Sequence, residues 1–361
     1  MAGTVAANHQ QGQTMGSSAV DMKNRTLGTS NSKANHAGAP VEDRHSSATV
    51  AQMSSSFSPI RVVTFDLDNT LWCTASTIGA AIAAVNEFWS RQSIESTVRV
   101  EVVMKELFAN NKAKYAPLQG EQATCPCQLT SLRLDAMQHM LTTHHNFSPQ
   151  EAADLAEQAF QIMSQTRHDA IPQYMAANVV ETLQALRQNN PQIVIGAITD
   201  GNANPGRVDS LAPFFDFCIQ AENIGVGKPD SRIFDHAIKL VQQLLLSPSR
   251  DEIDVSTDLG TLLKSWVHIG DDLAKDIVGA KRVGMRTIWS RELILPSLSD
   301  KPCSALTSRD LSSWGTGKRD TKPNKDAPST DEHACADAIV DRFADILLVL
   351  ENWHKKDSQK Q

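Results

Sequence analysis

Residues 60–72 read Ile-Arg-Val-Val-Thr-Phe-Asp-Leu-Asp-Asn-Thr-Leu-Trp. Ile60, Val62, Val63 and Phe65 form a short apolar run with no polar alternation, the pattern of a strand buried on both faces of a parallel sheet. The run ends abruptly in two carboxylates, Asp66 and Asp68. In an open α/β sheet, ligands collect at the carboxyl ends of the strands, so this stretch marks both an inner strand and a place for chemistry.

Working outward, Ile78, Ile82, Val85 and Trp89 recur at helical spacing, and further helices are predicted around Val102–Phe108, Leu132–Leu141 and Ala152–Met163. Ser148, Pro149 and Glu151 compose a helix start: Ser as N-cap, Pro at the first helical position, Glu at the capping-box site. After Pro172 strands and helices alternate. Strands are expected at Ile193–Ile198, Phe217–Ile219, Trp266–Ile269, Thr287–Trp289 and Ala338–Val340, with helices ending near Gln188 and over Ser231–Leu245 and Leu273–Val283. A last amphipathic helix carries Phe343, Ile346, Leu347 and Leu350. This order predicts an α/β fold, a doubly wound parallel sheet of Rossmann type with right-handed crossovers. The expected core is 58–74 plus 171–356, with a helical insert at 75–170 and polar surface insertions at 247–260 and 295–332.

Residues 1–57 are rich in Ser, Ala, Asn, Gln and Gly, lack either periodicity, and are expected to be a disordered tail. The tail has no apolar segment of secretory type. An organellar address fits its serines but not Asp21, Glu42 and Asp43 set against only Arg25 and Arg44. Met53 is a second candidate start. The expected location is intracellular, either cytoplasmic or in a plastid or mitochondrion.

A hydrophobic share of 41% is enough for a sizeable core in 361 residues. The net charge of −7, with no basic stripe, argues against nucleic acid as a partner. No apolar run approaches the roughly 20 residues that span a bilayer, so no membrane span is expected. Cys73, Cys125, Cys127, Cys218, Cys303 and Cys335 show neither CxxC nor zinc spacing and read as reduced thiols; Cys125-Pro126-Cys127 reads as incidental.

Four segments follow predicted strands or strand–helix turns: Phe65–Leu71; Ile198-Thr199-Asp200-Gly201-Asn202; Gly225-Val226-Gly227-Lys228-Pro229; and Ile269-Gly270-Asp271-Asp272 with Asp276 beyond. A phosphate monoester is anionic, so a carboxylate can approach it only where cations neutralise the site. Asp66, Asp68 and Asp271 offer the hard oxygen ligands that Mg²⁺ prefers. Lys228 is a second cation, and Thr199 with the adjoining Asp200 segment is placed to meet phosphate oxygens. The set suits phosphoryl transfer through an aspartyl phosphate.

These segments, in this order, resemble the motifs of the haloacid dehalogenase superfamily over residues 60–291. The resemblance implies Asp66 as nucleophile, Asp68 as general acid and base, Thr199 and Lys228 as phosphate binders, Asp271 as metal ligand, and Asp276 or Asp272 as the carboxylate that orients metal-bound water. It implies Mg²⁺ as cofactor and an α-helical cap closing over a small phosphorylated metabolite. Asp68 favours hydrolysis, because the dehalogenases do not keep the paired carboxylate. Where the family often has Thr-Asn-Gly, this chain has Thr-Asp-Gly at 199–201. The stretches Thr64–Trp72, Ala197–Ala203 and His268–Asp272 resemble phosphatases acting on flavin mononucleotide or on the ribitylaminouracil phosphate of riboflavin synthesis.

Competing readings are a sugar-phosphate or phosphoglycolate phosphatase, a phosphosugar mutase, and a scaffold that has lost its chemistry. The scaffold predicts loss of Asp66, Asp68, Lys228 or Asp271, and none is lost. His139, His144 and His145 lack a carboxylate cluster and read as surface residues. Trp72 has a better claim than Trp89 to border the substrate pocket. Gly225 and Gly227 lack the third glycine of a dinucleotide site.

Overall fold

The computed structural model describes residues 60–95, 99–246, 258–294 and 335–358. The expected tail 1–57, residues 247–257 of the first insertion, the whole of 295–332, and Cys303 lie outside the described residues.

Strand β1 (Val62–Phe65) is buried at every position. It leads into α1 (Thr74–Arg91), α2 (Val100–Asn110), α3 (Lys112–Tyr115), α4 (Leu129–His144) and α5 (Pro149–Ala170). Then come α6 (Val179–Asn189), β2 (Val194–Thr199), β3 (Phe217–Gln220), α7 (Ala221–Ile224), α8 (Ser231–Leu245), α9 (Leu259–Lys264) and β4 (Trp266–Gly270). A wide π turn over Leu273–Val278, α10 (Gly279–Arg282), β5 (Arg286–Ser290), β6 (Ala338–Val340) and α11 (Ile346–Ser358) complete the order. Asp258 caps α9 through Gly260 N and Thr261 N, so α9 begins inside the stretch expected to be insertion up to residue 260.

The six strands are parallel in the order β3-β2-β1-β4-β5-β6. Chain direction across the sheet reverses at β1, whose neighbours are β2 and β4. Such a switch opens a crevice beyond the strand ends. Alternate residues of β1 divide the core: Val62 packs with Phe234, Val241 and Trp266 under α8, while Val63 and Phe65 pack with Leu183, Phe343 and Ile346 under α6 and α11. Both faces are covered, which is why the strands carry no polar alternation.

The insert between β1 and β2 has its own core, in which Ile78, Val85 and Trp89 of α1 meet Met137 and Leu141 of α4 and Ala152, Ala156 and Ala159 of α5. α5 starts with the full capping box of Ser148 and Glu151. No helix among the described residues is long and apolar enough to cross a membrane.

One element departs from its predicted form. The single helix expected over Leu273–Val283 opens as a π turn before α10. Asp276 is the cause: its carboxylate folds back to accept from Asp272 N at 3.0 Å and from Lys228 Nζ at 2.6 Å. A β-carbon at Gly270 would fall 2.3 Å from Asp276 Cγ, so this close approach needs glycine there. Widened turns of this kind recur at functional sites.

Candidate active site

Asp66 leaves β1 at the sheet switch, with its N–H donating to Ile269 O of β4 at 2.8 Å. The next turn is tight. Asn69 adopts the left-handed conformation at φ 63°, which asparagine tolerates, and its Oδ1 accepts from Thr74 N at 3.1 Å to begin α1. Thr70, fully buried, places its hydroxyl 3.5 Å from Asp66 Oδ2 and 3.4 Å from Asp271 Oδ1. The first and fourth segments are thereby tied together.

Oxygen atoms of Asp66, Asp271 and Asp276 lie within 4.8 Å of one another. Their charge is offset by Lys228, whose Nζ donates to Asp66 Oδ1 at 2.6 Å, Asp276 Oδ1 at 2.6 Å and Ile198 O at 2.9 Å. One ammonium cannot balance three crowded carboxylates, two of them buried and the third, Asp271, half-buried. Burial, only partly opposed by Lys228, pushes the Asp66 carboxyl up to about 7. Burial and then the Asp66 charge raise Asp271 as well. Asp276 is also desolvated, but Lys228 and His268 outweigh that and hold it low. Beneath it, Trp266 Nε1 donates to Thr64 Oγ1 at 2.9 Å, Thr64 faces His268 Nδ1 at 3.0 Å, and His268 Nε2 faces Asp276 at 3.5 Å. With the Thr64 proton on Nδ1, Nε2–H is left for the carboxylate.

The sequence-predicted residues divide into groups. Asp66, Lys228, Asp271 and Asp276 meet, and Asp276 stands among the carboxylates themselves. Thr199 ends β2 at the same crevice; its Oγ1 accepts from Gly201 N at 3.0 Å, which leaves its own proton to donate. All three Lys228 protons are engaged, so it reaches a phosphate oxygen only by releasing one of its partners.

Four of these residues stand otherwise than expected. The side chain of Asp68 is not in the carboxylate cluster. It is held by Arg167 Nη2 at 2.6 and 2.9 Å and by Trp72 Nε1 at 2.9 Å, and these contacts lower its pKa despite burial. Of the oxygens Asp68 was expected to offer a metal, this leaves the backbone carbonyl. Asp200 does not present its carboxylate to a phosphate: Oδ1 accepts from Lys228 N at 2.8 Å and Oδ2 pairs with Lys275 at 3.0 Å, bracing one turn against another. Asp272 is the N-cap of the π turn, accepting from Ala274 N and Lys275 N. Trp72 is fully buried behind Asp68, whereas Trp89 lines the cavity.

Sequence reasoning missed Arg167, Arg133 and the role of Asn202. Arg167 is 4% exposed and donates Nη1 to Asn202 Oδ1 at 2.9 Å, an atom that also accepts from Arg133 at 3.2 Å. The signal was present on α5, where Ala152, Ala156, Ala159 and Met163 trace a buried stripe that ends in Arg167. A charge continuing an apolar stripe requires a buried partner. Gly201 makes room for it: a β-carbon there would stand 2.5 Å from Asp68 Oδ2.

Above these groups opens a cavity of about 990 Å³. Its floor is the strand-end cluster, and its walls are apolar residues of α1, α2, α4 and α5, among them Ile78, Trp89, Met104 and Met163. Cys125 and Cys127 also line it, with thiols pushed up by burial.

Comparison with known proteins follows the same lines. The chain is 30% identical over 139 residues to the 5-amino-6-(5-phospho-D-ribitylamino)uracil phosphatase YigB of Escherichia coli K12, covering 36% of this chain and 49% of that protein. It is 29% identical over 114 residues to the pyrimidine 5'-nucleotidase YjjG of the same organism, covering 30% and 42%. The chain thus spans somewhat under half the length of these curated relatives. A 2-haloacid dehalogenase from Pseudomonas syringae pv. Tomato DC3000 superposes with a TM-score of 0.55 at 25% identity, covering 81% of this chain and 99% of that one. A family model for haloacid dehalogenase-like hydrolases matches residues 60–284. That stretch is more than half of the chain and takes in all four segments, and this chain belongs to the haloacid dehalogenase-like hydrolases.

Proposed function

We propose that the protein is a Mg²⁺-dependent phosphomonoester hydrolase that works through an aspartyl phosphate on Asp66, with flavin mononucleotide or 5-amino-6-(5-phosphoribitylamino)uracil as substrate. The observation that carries the reading is the under-neutralised oxygen cluster of Asp66, Asp271 and Asp276 beside a second carboxylate, Asp68, held apart from it. An all-oxygen donor set with surplus negative charge fits Mg²⁺. Asp66, Asp271 and Asp276 would hold the ion through carboxylates, and it would supply charge neutralisation for an anionic phosphoryl group.

The chain's own residues do the rest. Asp66 attacks phosphorus in line, forming the acyl phosphate as the ester oxygen leaves. Asp68 serves as general acid and base: it takes up a proton only on leaving its Arg167 pair, delivers that proton to the departing ester oxygen, and regains one from the water that attacks the same phosphorus. Thr199 Oγ1 and backbone N–H groups bind phosphoryl oxygens, and Lys228 offsets the charge beside the nucleophile. The walls of the cavity exclude bulk water.

Both curated relatives are named for phosphate-ester hydrolysis, which supports the phosphatase over a dehalogenase, as does Asp68. The decisive experiment is inorganic phosphate release with Mg²⁺ from flavin mononucleotide, the ribitylaminouracil phosphate, phosphoglycolate and hexose phosphates. Asp66→Asn should lose at least about 10⁴-fold in kcat with unchanged circular dichroism. Turnover of that variant near wild-type rate would remove Asp66 from the mechanism, and phosphate transfer without net release would point to a mutase.

A further inference from the structure

Among the described residues Arg133 of α4 is a cation without a paired anion. Its guanidinium faces the cavity beside Arg167, and the hydrogen bond it makes there goes to the neutral Asn202 Oδ1 at 3.2 Å. Among the described residues no carboxylate lies within ion-pair distance of it. Asp68, Glu222 and Glu101 attract it from further away. Asp68 is occupied by Arg167, and Glu222 is occupied by Thr130. Burial first, and then the Arg167 charge, push the Arg133 pKa down to about 10. Arg167 Nε is also buried and without a hydrogen-bond partner. Two adjacent guanidiniums with unused donors are costly in a half-dry cavity unless an acceptor arrives from outside.

Their position fixes what that acceptor belongs to. Arg133, Asn202, Arg167 and Asp68 form one hydrogen-bonded chain. Asp68 is the group placed to protonate the leaving oxygen, so the far end of the chain faces the leaving group and not the phosphoryl oxygens. Beyond the arginines the cavity is mostly apolar, with Trp89, Met104, Met137, Met140 and Met163, and Glu95, Arg99 and Glu101 complete its lining. We propose that Arg133, with Arg167 and Asn202, forms a leaving-group subsite for an electron-rich oxygen carried on a broad apolar or aromatic body. This rests on the phosphomonoesterase reading and narrows it: the preferred ester carries acceptor oxygens on a flat or apolar leaving group. Small polyol or glycolate esters leave the methionine chamber unfilled.

The test compares flavin mononucleotide, whose ring bears carbonyl oxygens, with phenyl phosphate, whose leaving group bears none beyond the ester oxygen. Arg133→Met should lower kcat/KM for flavin mononucleotide about tenfold or more relative to phenyl phosphate, mainly through KM. Arg133→Lys should recover part of that ratio. In the unmodified protein, riboflavin should inhibit phenyl phosphate hydrolysis competitively and ribitol should not, a readout that needs no variant. Equal losses on both substrates, or no inhibition by riboflavin, overturns the subsite. Phosphate release from neither substrate by the wild-type protein overturns the phosphohydrolase reading itself.

Discussion

The floor and the roof of the cavity carry opposite imbalances. At the strand ends, Asp66, Asp271 and Asp276 share one ammonium, that of Lys228, and the carboxyls of Asp66 and Asp271 are pushed up. On the insert, Arg133 and Arg167 stand side by side with one paired carboxylate between them, Asp68, which Arg167 takes, and the Arg133 cation is pushed down. Each surface is arranged to favour a charge it does not contain, a cation below and an electron-rich oxygen above. The two also differ in construction. Floor side chains leave the ends of hydrogen-bonded strands and are locked by one another, while roof side chains project from helices across an apolar chamber. A buried, mutually dependent cluster should therefore fail as a unit, and a roof group should fail singly.

The largest effect is expected at Lys228. Lys228→Met removes the shared cation and leaves Asp66 and Asp276 buried without it, a change that typically costs about 3–5 kcal/mol. Chemical denaturation should show that loss alongside near-complete loss of turnover. Arg133→Met in the same assay should cost no more than about 1 kcal/mol, since no ion pair is broken. Similar stability losses in the two variants would erase the distinction between a cooperative floor and a modular roof.

The same division explains what was legible in the sequence. Strand ends are read from local pattern: an apolar run stops, the next polar side chain lies at the sheet edge, and parallel order does the assembling. That is enough to bring Asp66, Thr199 and Asp271 together. The roof gives only part of such a signal: the apolar stripe of α5 marks Arg167 as buried but does not name its partner. Arg167 meets Asp68 across 99 positions and Asn202 across 35, contacts set by how α5 packs against α1 and α4. The π turn was illegible for a related reason. Leu273–Val278 carries an ordinary helical pattern, and the widening comes from the pull of Asp272 N and Lys228 on the Asp276 carboxylate. Asp200 misled because its spacing within Thr-Asp-Gly is that of a site residue, although Lys275 and Lys228 N claim its oxygens.

A smaller effect sharpens the account of the floor. Asp271→Asn keeps shape while removing one of the crowded charges. Because burial and Asp66 raise the Asp271 pKa, the ionised form is disfavoured in the folded state relative to the unfolded chain, and the neutral amide relieves that penalty. The metal-free variant should melt at or above the wild-type temperature, while Mg²⁺ affinity by titration calorimetry falls on the order of tenfold or more. A lower melting point with unaltered Mg²⁺ affinity would mean that Asp271 is structural and that the surplus charge of the floor is not there for a cation.

The smallest expected effect concerns Asp272, adjacent in sequence to a candidate ligand but different in what it touches. Its carboxylate accepts from Ala274 N and Lys275 N and so satisfies two donors at the mouth of the π turn. Removing an N-cap of this kind costs about 1 kcal/mol. Asp272→Ala should therefore lower stability by that amount, with kcat/KM within a few-fold of wild type, since the neighbouring Asp276 keeps its bonds to Lys228 and to Asp272 N, a backbone donor that alanine retains. If Asp272 instead positioned water at the reacting phosphorus, the stability change would be similar but kcat would fall by 10² or more. The ratio of those two losses separates a residue that holds the floor in place from one that belongs to it.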